Sequence, residues 1–396
     1  MDFNRLEDAK LKGKTVLLRV DFNLPRNEDG AISDDTRLRA ALPTINAVRE
    51  AGAKTVILSH FGRPKGKPDP DFSLRFVVEP LAEALGADVY FSPDITTAAI
   101  DILPEDGVML LENTRFHPGE TKGDTELAKS FAELGDIFVQ DAFSASHRNH
   151  ASSAGIAEFL PAYAGLAMER ELDHLAQALD IPKKPVMGIV GGAKVSTKIE
   201  LLKNLVSKLD VLAIGGGMAN TFLYAQGVNI GKSLCEKDFK DTALEIMANA
   251  KKEKCDIILP VDVVVAKDFK AHAKHRVCGL DDVKPSEMIL DAGPETVNLL
   301  ADAIDKAKTL IWNGPLGAFE LEPFDTSTIE AAKYAAKRTK AGKLIAVAGG
   351  GDTVAALNHA GAAQDFTFIS TAGGAFLEWM EGKALPGVEI LKKNDS

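Results

Sequence analysis

Two kinds of chemistry-bearing stretch recur along this chain, and they segregate by half. The first half carries Arg19-Val20-Asp21-Phe22-Asn23, Ser59-His60-Phe61-Gly62-Arg63, Glu112-Asn113-Thr114-Arg115-Phe116-His117, and a run from Asp141 to His147-Arg148-Asn149-His150. Arg37 falls between the first two. Guanidinium groups hold a phosphate or carboxylate through paired, charge-assisted hydrogen bonds. One such arginine is ordinarily a solvated charge. Four separate stretches that each deliver Arg or His form a cluster that repels itself unless an anion fills it. His60, His117, His147 and His150 lack zinc-ligand spacing and sit among arginines rather than Cys or carboxylates.

The second half carries glycine turns instead. They are Gly191-Gly192-Ala193-Lys194 running on to Lys198, Gly215-Gly216-Gly217, Asn313-Gly314-Pro315 running on to Glu320, Gly349-Gly350-Gly351-Asp352-Thr353, and Ser370-Thr371-Ala372-Gly373-Gly374. Glycine lets the backbone turn sharply and lets a flat ring or a phosphate approach the main chain. A helix that opens at such a turn offers free N–H groups to an anion. A single turn of this kind is as readily tight packing, but five point to a long ligand such as a nucleoside triphosphate. Lys194 and Lys198, four apart at an expected helix start, would share a face toward phosphates. Asp352, read as a helix cap, suits Mg²⁺. The stretch Gly227–Ser233 resembles a P-loop, but three residues, not four, separate its glycines and no strand precedes it, so it reads as a surface turn.

Both sets of residues need strands to present them. Buried, β-branched runs predict strands at 15–20, 55–58, 108–111 and 137–139, and again at 185–190, 211–214, 257–260, 309–312, 344–348 and 367–369. Amphipathic stretches alternate with them. One holds Leu38, Leu42, Ile45 and Val48 and closes at Gly52, with a break or kink expected at Pro43. Others cover 125–134, 165–179 and the Ile199–Leu209 region. Alternation of this kind implies parallel sheets with right-handed crossovers. In open α/β sheets the ligand lies beyond the carboxyl ends of the strands, which is where both residue sets fall. The fold class is therefore α/β, with two doubly wound, Rossmann-like domains. The boundary is expected near 165–185, where Ile181-Pro182-Lys183-Lys184-Pro185 reads as a linker.

At 396 residues the chain is long enough for two or three domains. Its formal net charge of −11 argues against a nucleic-acid partner. The first residues lack a signal-peptide pattern, and no apolar run reaches membrane-spanning length. Three scattered cysteines suggest a reducing, cytoplasmic setting. No apolar surface stripe is evident, so a monomer is expected.

Read together, these motifs closely resemble the phosphoglycerate kinase family along nearly the whole chain. The matching stretches are 19–25, 59–64, 111–120, 147–150, 191–198, 215–222, 312–320, 349–353 and 370–375. The resemblance implies reversible phosphoryl transfer between 1,3-bisphosphoglycerate and ADP, with Mg²⁺, giving 3-phosphoglycerate and ATP. It assigns Asp21, Asn23, Arg37, His60, Phe61, Gly62, Arg63, Arg115 and Arg148 to the glycerate. It assigns Gly192, Lys198, Gly215, Asn313, Pro315, Glu320, Gly349, Gly350, Gly351, Asp352 and Thr353 to the nucleotide, with Asp352 also at the metal. Arg37, Lys194, Lys198 and Gly373 would act on the transferring group. It further implies a glycerate domain of 1–172 completed by a tail from about 374, a hinge helix at 173–184 and a nucleotide domain of 185–373. Ala372 replaces a usual glycine and Ser144 another. At a positive φ, Ala372 would cost about 1 kcal/mol or more.

Two other readings compete. A dinucleotide-dependent dehydrogenase predicts a GxGxxG fingerprint, which this chain lacks. A hinge-closing solute receptor predicts a signal peptide and has no use for Lys194, Lys198 and the Gly349–Asp352 turn.

Overall fold

A computed structural model describes residues 2–393. It resolves into two compact units, one holding the described residues through Asp173 together with those from Ala384, the other running from His174 to Lys383.

The first unit is built on β1 (Thr15–Arg19), β2 (Lys54–Leu58), β3 (Val89–Ser92), β4 (Val108–Leu111), β5 (Ile137–Gln140) and β6 (Ala162–Ala164). They form one parallel sheet in the order β3-β4-β2-β1-β5-β6. The strands β4 and β5 are buried at every position, as expected of strands covered on both faces. The edge strands β3 and β6 escaped the sequence reading. One is half exposed and the other is Ala-Tyr-Ala, so neither shows a β-branched run.

The helix Thr36–Glu50 runs unbroken across Pro43, against expectation. Leu38, Ala41, Thr44, Ile45 and Val48 are buried along it, and that face outweighs the one hydrogen bond a proline removes. Gly52, at φ +72°, lies just past its end.

The second unit contains β7 (Val186–Val190), β8 (Val211–Ile214), β9 (Asp256–Ile258), β10 (Asp262–Ala266), β11 (His275–Gly279), β12 (Met288–Ala292), β13 (Thr309–Asn313), β14 (Ile345–Gly349) and β15 (Phe368–Ser370). Six of these make a parallel sheet in the order β15-β14-β13-β7-β8-β9. The helix Thr326–Lys340 buries Ala331, Ala332, Ala335 and Ala336, side chains small enough for close packing, in a core that includes Leu310 and Trp312.

The remaining three strands form an antiparallel sheet, β11-β10-β12, that the sequence reading did not foresee. Its middle strand, Asp-Val-Val-Val-Ala, is buried throughout and merges in sequence with the preceding apolar run.

The helix Leu166–Leu175 contains the division between the units and continues as a π-helical turn over Ala176–Asp180, where Ile181 N donates to Ala176 O at 2.9 Å. The helix Gly374–Met380 stays with the second unit, and the return to the first begins at Ala384, later than the expected 374. The reason is packing: Phe376 is fully buried against Gly349.

Candidate functional site

In the first unit the strand ends do converge. Asp21, just past β1, pairs with Arg37 at 3.1 Å and accepts a hydrogen bond from the Ser144 hydroxyl. Burial pushes the Asp21 carboxyl up, but the Arg37 charge and the hydrogen bonds from the Ser144 hydroxyl and Asn23 N help to outweigh it and leave it below the ordinary carboxylate value. Arg37 also donates to Asn23 O at 3.0 Å, and Asn23 Oδ1 accepts from Gly62 N at 2.9 Å. Gly62, at φ +58°, passes its carbonyl to Arg115 at 2.7 Å. A side chain on Gly62 would strike the Phe72 ring, and Phe61 packs against Phe72 and Phe76.

The charges of this rim are poised for an anion. Arg63 and Arg148 are exposed. Burial first, and then the like charges of Arg63 and Arg148, pull the Arg115 guanidinium below its ordinary value, against the support of Glu120 and Asp21. An incoming phosphate or carboxylate would relieve that repulsion.

Three residues matter here that the sequence reading misplaced or passed over. Arg19, read as part of the rim, is fully buried beneath it. Asn113 is fully buried and ties the loops together: its Oδ1 accepts from Phe61 N and Arg115 N, and its Nδ2 donates to Phe61 O and Phe72 O. Glu120 is a fully buried carboxylate that accepts from Ser152 N at 3.0 Å. The signal was available, since Asn113 and Glu120 lie inside the same motif as Arg115, but burial of a polar residue is not written in its type.

In the second unit the glycines are used as backbone. A Cβ on Gly191 would fall 1.8 Å from Pro315 O, and one on Gly314, at φ +102°, 2.2 Å from Gly191 O. Thr353 Oγ1 accepts from Gly314 N at 2.7 Å, and Asn313 Nδ2 donates to Gly349 O at 2.7 Å. The turns after β7, β13 and β14 are thus bonded to one another.

Lys198 bolts them from inside. Its ammonium donates to Gly191 O at 2.6 Å, Asn313 Oδ1 at 2.6 Å and Asn313 O at 3.2 Å. Desolvation draws its pKa down to about 8, with Asp352 opposing. Lys194 is exposed. The two lysines do not share a helical face as expected, because a short 3₁₀ turn, Val195–Thr197, separates them and the helix starts only at Ile199.

Two cavities open at these turns. One of about 300 Å³ is lined by Gly192, Lys194, Lys198, Asn313, Pro315 and Asp352, among others. Its neighbour, of about 520 Å³, shares Gly192, Pro315 and Asp352 and continues past Gly216, Leu290, Phe319 and Glu320. A charged, glycine-walled chamber beside a larger apolar one has the form of a polyphosphate site joined to a base and sugar site.

Gly215 is the cap of the helix Gly216–Ala225, and its Cβ would strike Leu316. Asp352 is not the cap of its helix; that place belongs to Gly350, at φ +98°, with Gly351 the first helical residue and Asp352 exposed in the first turn. Gly373 caps the next helix at φ +54° with open space around it. Ala372 is buried and does not adopt a positive φ, so its methyl group carries no backbone strain. The Gly227–Ser233 stretch is a turn that follows the helix Gly216–Ala225; it is pinned to the start of β12 by Lys232 N, which donates to Glu287 O at 2.7 Å, and Lys232 reaches the wall of the larger cavity.

The comparisons with known proteins agree along nearly the whole chain. A family model described as Phosphoglycerate kinase matches residues 6–383. The phosphoglycerate kinase of Caulobacter vibrioides is 60% identical over 396 residues, covering 99% of this chain and 100% of that one. That of Maricaulis maris is 59% identical over 392 residues, covering 98% of this chain and 97% of that one. Among solved structures, phosphoglycerate kinase from Coxiella burnetii superposes with a TM-score of 0.93 at 44% identity, covering 98% of each chain. That from Pyrococcus horikoshii superposes with a TM-score of 0.79 at 32% identity, also over 98% of each chain. The chain belongs to the phosphoglycerate kinase family.

Proposed function

We infer that this chain catalyses reversible phosphoryl transfer between 1,3-bisphosphoglycerate and ADP, giving 3-phosphoglycerate and ATP, the glycolytic kinase reaction of its family. The observation that carries the reading is the pairing of chemistries in one chain. One unit holds a self-repelling arginine rim, the other a glycine-walled chamber lined by the exposed Lys194 and Asp352 and by Lys198, which is bonded inside it.

The acceptor is a carboxylate, already ionised at neutral pH, so no general base is required. Catalysis then rests on alignment and on neutralising the moving group. We assign the glycerate to Asp21, Asn23, Arg37, His60, Arg63, Arg115 and Arg148. Arg63 and Arg148 are the exposed donors, and Asp21 and Asn23 orient Arg37 and the Gly62 loop. Lys194 and Arg37, with the free N–H groups at Gly373, would meet the moving phosphoryl group.

In the second unit Lys198 holds the turns in register, Glu320 lines the larger cavity, and Gly350–Thr353 line the smaller one, where they would frame the phosphates, with Gly349 behind them bonded to Asn313. Mg²⁺ fits the donor set: Asp352 offers a hard, exposed carboxylate at the lip of the smaller cavity, and such an ion takes most of its remaining ligands from phosphates and water. When bound, it would neutralise charge on the polyphosphate.

Hinge bending about residues 173–184 is proposed as the motion that completes the reaction site, supported by the π-helical turn at Ala176–Asp180. We read the protein as a cytoplasmic monomer acting on two small substrates, without nucleic acid or membrane. Its three unpaired cysteines support a reducing compartment. The test is a coupled assay with Mg-ATP and 3-phosphoglycerate. Turnover dependent on both is expected, and its absence from pure, folded protein would overturn the assignment.

A further inference from the structure

Arg19 ends β1 with no exposed surface, yet each arm of its guanidinium is engaged. Its Nε donates to Ser152 Oγ at 3.1 Å, one terminal nitrogen donates to the Val20 carbonyl, and the other donates to His60 Nδ1 at 3.1 Å. The directions of these bonds are forced. A guanidinium has only donors, so His60 Nδ1 must accept. Ser152 Oγ accepts from Arg19, so its single proton is directed to Glu120 Oε1, 2.5 Å away. Glu120, also fully buried, further accepts from Ser152 N at 3.0 Å and Thr114 Oγ1 at 3.2 Å.

An imidazole whose Nδ1 accepts carries its one proton on Nε2. A second proton on the ring would set an N–H against an N–H of Arg19. The charges around the ring agree. Burial, then Arg19, holds His60 well below its ordinary value; Asp21 opposes, and Arg115 and His150 add to the lowering. His60 keeps 9% of its surface open, and its Nε2 has no hydrogen-bond partner among the described residues.

We propose that Arg19 is a positioning residue: held by Glu120 through Ser152, it fixes His60 as the neutral ring with its proton on Nε2, so that the rim offers its ligand a hydrogen-bond donor that does not change with pH. The proposal rests on the assignment of that rim to 3-phosphoglycerate. Arg19 serves the anion without touching it. Its charge is balanced internally by Glu120, while the exposed Arg63 and Arg148 supply charge to the ligand. This accounts for an arginine and a carboxylate both being buried beneath an anion site, a costly arrangement unless the pair does something there.

The test is the ring itself. Long-range proton–nitrogen correlation spectra of the intact, nitrogen-15-labelled protein would report His60, its signals assigned by their loss in His60→Gln. The expected pattern is the neutral, Nε2-protonated ring, constant from about pH 5 to 8. An Nδ1-protonated ring, or one that gains a proton within that window, overturns the proposal. In Ser152→Ala the ring is expected to populate both neutral forms or to titrate. KM for 3-phosphoglycerate should then rise about fivefold, with a smaller change in kcat. A KM at the wild-type value in a variant whose ring pattern has changed removes the role in binding. If the wild type showed the Nε2-protonated ring but no turnover with 3-phosphoglycerate, the positioning chain would stand and the substrate assignment would fall.

Discussion

The two regions of this molecule to which we assign the ligands are built from different materials. In the first unit, side chains do the holding, and they are wired to one another: Asp21 to Arg37, Asn23 to Gly62, Gly62 to Arg115. In the second, the main chain forms the wall, and it closes only because Gly191 and Gly314 have no Cβ to separate it. A side-chain site loses function by degrees, one contact at a time. A backbone site has no intermediate, since one methyl group moves the whole turn.

The strongest way to break this comparison is Gly314→Ala. Its Cβ would meet Gly191 O at 2.2 Å from a positive φ, so about 3 kcal/mol or more of strain is expected. Calorimetric titration should show Mg-ADP affinity reduced by about a hundredfold or more, with 3-phosphoglycerate still bound. Retention of nucleotide affinity would show that the turn gives way more easily than its contacts imply.

Next in size is Lys194→Ala, an exposed cation at the glycine wall that we assign to the reacting group. It should lower kcat by about a hundredfold, with little change in either KM. A pure KM effect would remove it from that role.

Arg63→Ala and Arg148→Ala probe the graded region. Each should raise KM for 3-phosphoglycerate by about tenfold to a hundredfold and leave Mg-ADP titrations as they were. Loss of nucleotide binding in either would contradict the division of labour.

A smaller effect is expected from pH. The free enzyme's Lys198 has three acceptors and a pKa drawn down to about 8 by desolvation. Above that value the amine has only two protons for three bonds. kcat/KM for Mg-ADP should therefore fall above about pH 8, and an unchanged profile to pH 9.5 would dismiss the idea.

Smallest is Ser144→Gly, which removes one donor from Asp21 while Arg37 stays paired. KM for 3-phosphoglycerate should change by about two- to threefold, and a larger change would make Ser144 part of the site.

Much of this was legible from residue types. The glycine turns declare themselves because few other residues tolerate the geometry, and buried parallel strands declare themselves by unbroken apolar runs. The antiparallel sheet β11-β10-β12 did not, because β10 has the same composition as a parallel core strand. Pro43 misled because a proline's local cost was weighed without the five buried side chains that keep its helix in place. Arg19 misled in a deeper way. Sequence registers an arginine near a strand end, but whether its charge faces water or a buried glutamate is decided by Ser152, 133 positions away.

One consequence concerns synthesis rather than catalysis. Phe3 pairs with Lys392, Asn4 N donates to Leu391 O at 2.8 Å, and Gly387 N donates to Ser146 O at 2.9 Å, with Val388 and Leu391 buried. Those last residues follow the whole second unit in the chain. A polypeptide leaves the ribosome from its N-terminus, a few residues each second. The first unit, although made first, therefore waits for its final strap until the entire second unit has been translated.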